Sequence, residues 1–209
     1  MKLRHNTTSP FVRKVMVFAH EAGVVDRLDL VNTNTWDLKD DIVLVNPLGK
    51  IPTLILDDGT VVAESLLICE YLDRLHGGRP LIPADWPERL TMMRRHALGH
   101  GLLEATQARL LEMRRPPEIQ SPEWLARQTG KIPRVLAALE SDTAWLDEPV
   151  TLAHTTVATA LGYLDFRAED MPWRPDHPGL AAWFAEFETR PSMQKTRPVE
   201  WRSAPTVIA

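Results

Sequence analysis

Apolar and polar positions change their spacing as the chain proceeds, and the changes divide it into two kinds of structure. Lys2–His5 is short enough for a strand, and Thr8-Ser9-Pro10 then supplies a hydroxyl and a proline suited to a helix start. That helix is predicted to run to about Ala22, with Gly23 ending it. Asp26–Val31 alternates weakly as a second strand, and Trp36–Leu44 reads as a short helix before the turn Asn46-Pro47-Leu48-Gly49. Thr53–Leu56 and Val61-Val62 flank Asp57-Asp58-Gly59-Thr60, in which Asp-Gly signals a hairpin. Ser65, Leu66, Ile68, Cys69, Leu72 and Leu75 then recur at helical spacing, closed by His76-Gly77-Gly78. The predicted order is βαβαββα.

Gly77-Gly78-Arg79-Pro80 through Pro83 is a glycine- and proline-rich connector where a domain boundary belongs. Beyond it the alternation stops. Helical patterns cover about 88–114, 121–142, 153–168 and 178–189, which predicts an all-helical second half. The expected division is an α/β domain over 1–78 and a helical domain over 86–209, with residues 197–209, including Trp201, as an extended tail.

Composition narrows the classes of function. A content of 44% hydrophobic and 25% charged residues is that of an ordinary globular protein, and a net charge of -4 offers no basic field for nucleic acid or anionic lipid. No membrane span or leader peptide is expected, so a cytoplasmic location is the default. The single cysteine, Cys69, excludes an internal disulfide or a C-x-x-C motif and is expected to be buried packing. His96, His100 and Glu104 share one face of a predicted helix; with no further ligand signalled, a polar face is expected and no metal site.

Three local features carry chemistry. Ile51-Pro52 precedes a strand; a trans bond has the better general frequency, because only about 5–6% of folded X-Pro bonds are cis, yet a cis bond would leave the backbone of Ile51 open to a ligand. Ser65 is a natural N-cap whose helix can receive a carboxylate, and Glu64 beside it can hold an ammonium, so the pair matches one α-amino-acid head group. Ser9 stands at a helix start where a thiol would ionise more easily than its ordinary pKa of about 8.5 allows. Each of the three is also explained by simple capping or turn geometry.

Their order is more specific than any one of them. Thr8-Ser9-Pro10-Phe11-Val12-Arg13-Lys14, Asn46-Pro47-Leu48-Gly49-Lys50-Ile51-Pro52-Thr53-Leu54 and Ala63-Glu64-Ser65 resemble the active-site, cis-proline and Glu-Ser segments of the cytosolic glutathione transferases. Thr151–His154 and Ala160–Arg167 resemble the buried helix of that family's second domain. The resemblance implies a thioredoxin-like α/β N-terminal domain, an all-α C-terminal domain, glutathione as co-substrate, and a homodimer. By position it implies a cis Pro52, backbone pairing at Ile51, a glycyl contact from Lys50, a γ-glutamyl site at Glu64 and Ser65, and a thiolate contact from Ser9, with Thr8 as its rival. Phe11, His96 and His100 would border the electrophile. The implied reaction is conjugation of the glutathione thiolate to a small electrophile, as in detoxification; the alternatives are glutathione-dependent reduction of disulfides or peroxides, and a binding module without turnover. Two departures stand out. The active-site segment lacks a cysteine, and His154 replaces the acid of the helix capping box, which predicts a weaker reciprocal cap.

Overall fold

The computed structural model describes residues 1–37 and 39–200. Its contacts divide the chain into two units, one comprising Met1–Pro80 together with the residues from Lys195 onward and the other Leu81–Gln194. The expected tail beyond Glu200 lies outside the described residues. Within the first unit, Thr7 Oγ1 donates to the carbonyl of Val199 at 3.1 Å, which ties the returning segment to the start of the chain.

The first unit is a four-stranded mixed sheet with helices, the thioredoxin-like arrangement. Strands β1 (Lys2–His5), β2 (Asp29–Asn32), β3 (Thr53–Ile55) and β4 (Val61–Ala63) lie in the order β2-β1-β3-β4. β1 and β2 are parallel, whereas β1–β3 and β3–β4 are antiparallel. Helices α1 (Pro10–Glu21) and α3 (Ser65–Asp73) pack on each other, and Leu3, Val15, Phe18, Leu54, Ile68 and Leu72 form a fully buried core. Gly23 follows α1 with φ 69°, a left-handed turn that a side chain would strain.

The segment expected to be helical from Trp36 to Leu44 forms only one turn, α2 (Ile42–Val45). Short polar side chains win the local competition for backbone donors: Asn34 Oδ1 accepts from Trp36 N–H, Asp37 Oδ1 from Lys39 N–H, and Asp40 from both Asn34 N–H and Ile42 N–H. Arg4, buried on the face of β1 opposite Leu3, reinforces this by donating to Thr33 Oγ1 at 2.7 Å, to Asp40 at 2.7 Å and to Asp41.

The second unit is helical: α4 (Trp86–Met113), α5 (Pro122–Thr129), α6 (Lys131–Glu140), α7 (Leu152–Arg167), α8 (Pro178–Phe187) and α9 (Pro191–Lys195), the last bridging into the first unit's returning segment. The single helix expected over 121–142 is two helices that meet at Gly130. Pro133 supplies the reason, since it has no N–H for the carbonyl of Thr129 and its ring crowds that carbonyl.

α7 is buried along nearly its whole length and lies against α4. Gly99 of α4 makes the close approach: a Cβ there would stand 3.0 Å from Val157 Cγ2 and 3.1 Å from the Val157 backbone nitrogen. Gly99→Ala is therefore expected to destabilise the protein by about 1–3 kcal/mol in denaturant titration. Gly101, two residues on, has open space around it, and Gly101→Ala should stabilise by roughly 0.5–1 kcal/mol through helix propensity alone. Equal effects at the two positions would contradict the close packing of α4 on α7.

The expected weakness at the start of α7 is not found, because an imidazole takes the place of the carboxylate. His154 Nδ1 accepts from Thr151 N–H at 3.1 Å, and Nε2 donates to the carbonyl of Trp145 at 3.0 Å, which fixes the neutral Nε2–H tautomer. His154 is 1% exposed, and its ring meets Trp145 edge-on. His154→Ala leaves the Thr151 N–H without a partner and the Trp145 carbonyl with only the Glu148 N–H, so a loss of about 1–3 kcal/mol is expected by denaturant titration. A loss below about 0.5 kcal/mol, the range of ordinary surface changes, would contradict this role.

Candidate functional site

Strand register gathers the sequence features at one end of the first unit's sheet. Arg4 of β1 pairs with Thr53 of β3, which pairs with Ala63 of β4. The loop that leaves β1 toward Ser9, the turn that enters β3 through Lys50-Ile51-Pro52, and the exit of β4 into Glu64-Ser65 therefore lie at the same sheet end.

Ser9 is the N-cap of α1, extended at φ −72° and ψ 120°, and its Oγ accepts from Val12 N–H at 3.3 Å. An N-cap hydroxyl used as acceptor keeps its proton for another partner. The neighbouring Thr8 is placed differently: its hydroxyl lies 3.3 Å from Asn6 Oδ1, an oxygen that also accepts from Ser9 N–H at 2.8 Å and Thr8 N–H at 3.2 Å.

The Ile51-Pro52 peptide bond is cis. Asn46 and Thr53 brace it, for Asn46 Nδ2 donates to both the Lys50 carbonyl and Thr53 Oγ1, and Thr53 Oγ1 donates to that same carbonyl at 2.8 Å. Among the described residues, the main-chain N–H and C=O of Ile51 meet no partner. The Lys50 side chain is exposed.

At the third position the expected roles shift by one residue. The N-cap of α3 is Glu64, not Ser65. Glu64 sits at φ 80°, a left-handed conformation that turns its carboxylate back onto its own helix. Oε1 accepts from Ser65 N–H and Ser65 Oγ, both at 2.8 Å, and Oε2 accepts from Leu66 N–H at 3.0 Å. Burial pushes the Glu64 carboxyl up, but the Leu66 N–H, the Ser65 hydroxyl and N–H and the Lys14 ammonium together hold it below the ordinary glutamate value. Lys14 of α1 is fully buried, a cation beneath this end of α3 that neither spacing nor composition flags.

The other expected residues are distributed as follows. Phe11 is half-buried in the first turn of α1. His96, in the helical unit, is 4% exposed with Nδ1 2.9 Å from Thr156 Oγ1. Thr156 gives its hydroxyl proton to the Leu152 carbonyl, so His96 Nδ1 is the donor to Thr156. His96 is thus buried in the packing of α4 on α7. His100 is half-buried, its Nε2 3.7 Å from Glu104 Oε1. Cys69 is fully buried, and burial pushes its thiol up to about 12, which makes it inert. Among the described residues no group of three or more His, Cys, Asp or Glu converges as a metal site, and no helix is long and apolar enough to cross a membrane.

Comparison with known proteins identifies the fold at the level of family. Residues 8–75 match the family model of the glutathione S-transferase N-terminal domain, and residues 122–186 that of the C-terminal domain. An Escherichia coli K12 protein, described as an uncharacterised GST-like protein, YibF, is 33% identical over 201 residues, covering 95% of this chain and 98% of its own. The chain belongs to the glutathione S-transferase family. Among solved structures of this family, a glutathione transferase family member from Pseudomonas fluorescens Pf-5 with bound glutathione superposes with a TM-score of 0.91 at 45% identity, covering 95% of this chain and 99% of its own. A glutathione S-transferase from Methylobacillus flagellatus KT with glutathione bound gives 0.89 at 36% identity, covering 95% and 99%. The match spans both units, so the α/β and helical halves together follow the transferase architecture.

Proposed function

We propose that the protein binds glutathione at the sheet end formed by Ser9, Lys50, Ile51, Glu64 and Ser65 and conjugates its thiolate to small electrophilic carbon compounds. The observation that carries this reading is the placement of a free-proton hydroxyl, Ser9, beside an open backbone edge at Ile51 and an acid–hydroxyl pair at a helix start. The bound glutathione of two close structural relatives supports it. The open N–H and C=O of Ile51 suit the cysteinyl backbone, in the manner of an added β-strand. Binding of the γ-glutamyl group exchanges partners. Its carboxylate takes the Ser65 and Leu66 donors at the start of α3, and Glu64 turns from those donors to the ligand's ammonium. Lys50 meets the glycyl carboxylate.

The protein's chemical contribution is then ionisation and positioning. The Ser9 hydroxyl donates to the sulfur, and the α1 dipole favours its charge, so the thiol proton passes to solvent at neutral pH. The thiolate attacks the electrophilic carbon, an S–C bond forms, and the leaving group departs with the bonding electron pair. On the first unit, Phe11 is the side chain assigned to the electrophile. A homodimer and a cytoplasmic location complete the reading, and light scattering tests the first of these.

Retention on immobilised glutathione and conjugation of a generic aryl halide are expected together. Failure of both rejects the reading. Retention with disulfide or peroxide reduction but no conjugation assigns a reductase, which would work through the bound thiol because Cys69 is inaccessible. Retention with neither activity leaves a binding module.

A further inference from the structure

Asn6 has no part in the reading above, yet it organises the loop that delivers Ser9. Its side-chain oxygen accepts three hydrogen bonds, from Ser9 N–H at 2.8 Å, Thr8 N–H at 3.2 Å and Thr8 Oγ1 at 3.3 Å. Two of those donors are backbone N–H groups, so the amide presents oxygen, not nitrogen, to the loop and its plane is fixed. The consequences for the two neighbouring hydroxyls are opposite. Thr8 has one hydroxyl proton, and Asn6 draws it inward. Ser9 has its N–H held by Asn6 and its Oγ accepting from Val12, which leaves the Ser9 hydroxyl proton available to another acceptor.

We propose that Asn6 is a positioning residue that selects Ser9 over Thr8 as the hydrogen-bond donor to the glutathione thiolate. The inference rests on the glutathione transferase reading and deepens it. A loop with two adjacent hydroxyls has two rival donors, and a thiolate shared between them meets neither at good geometry. By engaging Thr8, Asn6 leaves one. Removing the amide frees the Thr8 hydroxyl and the Ser9 N–H at once, and the bound thiol ionises less readily. Substitution by aspartate behaves differently, since a carboxylate accepts the same three hydrogen bonds and keeps Thr8 engaged, although its charge opposes a nearby thiolate.

The test is the thiolate fraction of protein-bound glutathione, read from its ultraviolet absorbance across pH, with binding confirmed by calorimetry for each variant. Asn6→Ala is expected to lower the thiolate-to-thiol ratio of the bound glutathione about tenfold, a shift of one pKa unit, equivalent to about 1.4 kcal/mol. Thr8→Val is expected to be silent in the wild-type and Asn6→Asp backgrounds and to change the fraction only with Asn6→Ala. Circular dichroism identifies any variant that has lost its fold, and the aspartate background keeps the comparison available if the alanine variant unfolds. An unchanged fraction in Asn6→Ala overturns the inference. So does a Thr8→Val effect in the wild-type background as large as that of Ser9→Ala. If Ser9→Ala is also silent, or wild-type protein fails to bind glutathione, the transferase reading itself falls, an outcome distinct from failure at Asn6 alone.

Discussion

Ser9→Ala is expected to lower kcat for conjugation of an aryl halide about a hundredfold near neutral pH and to move the acid limb of the kcat–pH profile upward. A hydrogen bond to a charged group contributes about 1.5–3 kcal/mol, a factor of roughly 10–150 in thiolate stabilisation. The kcat profile is the relevant one, because it reports ionisation in the complex with substrate. Ser9 is also the N-cap of α1, so its loss costs about 1 kcal/mol of stability in addition. Two further substitutions separate the roles. Ser9→Gly retains most of the cap and loses the hydroxyl, and should be as inactive as alanine; Ser9→Thr keeps both and should retain most activity. A kcat profile unchanged in Ser9→Ala would remove the hydroxyl from the mechanism.

Glu64→Ala is expected to weaken glutathione binding by about a hundredfold or more in calorimetric titration, since truncating one side of a hydrogen-bonded charge pair costs about 2–5 kcal/mol. The same residue carries a pH signature in the free protein. Its folded carboxyl lies below the ordinary value, pulled there by the Leu66 and Ser65 donors and Lys14 against the opposing effect of burial. The unfolded chain then binds the proton more readily at acid pH, so stability rises with pH across that window. The contribution is full above about pH 4.3, the ordinary glutamate value, and is lost as pH falls through the folded value. Glu64→Gln should flatten this part of the stability–pH curve. A variant that binds glutathione as tightly as wild type would place the γ-glutamyl ammonium elsewhere.

The first unit's sheet was legible because its strands are short segments separated by strong punctuation, above all Asp58-Gly59 between the apolar β3 and β4. The extent of the short helix after β2 was not, because Asn34, Asp37 and Asp40 hold backbone donors that helical periodicity assigns to the helix. Nor does periodicity register the missing donor of Pro133, which splits one expected helix into α5 and α6. At the site, the Glu-Ser pair was visible in sequence, but its division of labour was not. Left-handed backbone at a glutamate has no sequence signature, so the cap fell one residue late. His154 differs from its sequence expectation for a related reason: an imidazole stands in for the capping carboxylate when a carbonyl such as that of Trp145 is placed by the tertiary fold to receive Nε2–H and leave Nδ1 as the acceptor. Asn6 did carry a signal, an asparagine two and three residues before backbone donors at a helix start, which is the pattern of an Asx turn. The buried Lys14 carried none, since its burial depends on how α1 packs against α3.

The central claim is that glutathione lies along Ile51 with its head group at Glu64 and Ser65 and its sulfur at Ser9. A crystal structure of the protein with glutathione tests all three contacts at once. The account predicts the sulfur within hydrogen-bonding distance of Ser9 Oγ, the cysteinyl backbone paired with Ile51, and the Glu64 carboxylate turned to the ligand's ammonium. Glutathione bound with its sulfur at Thr8, or away from the start of α1 altogether, would contradict it.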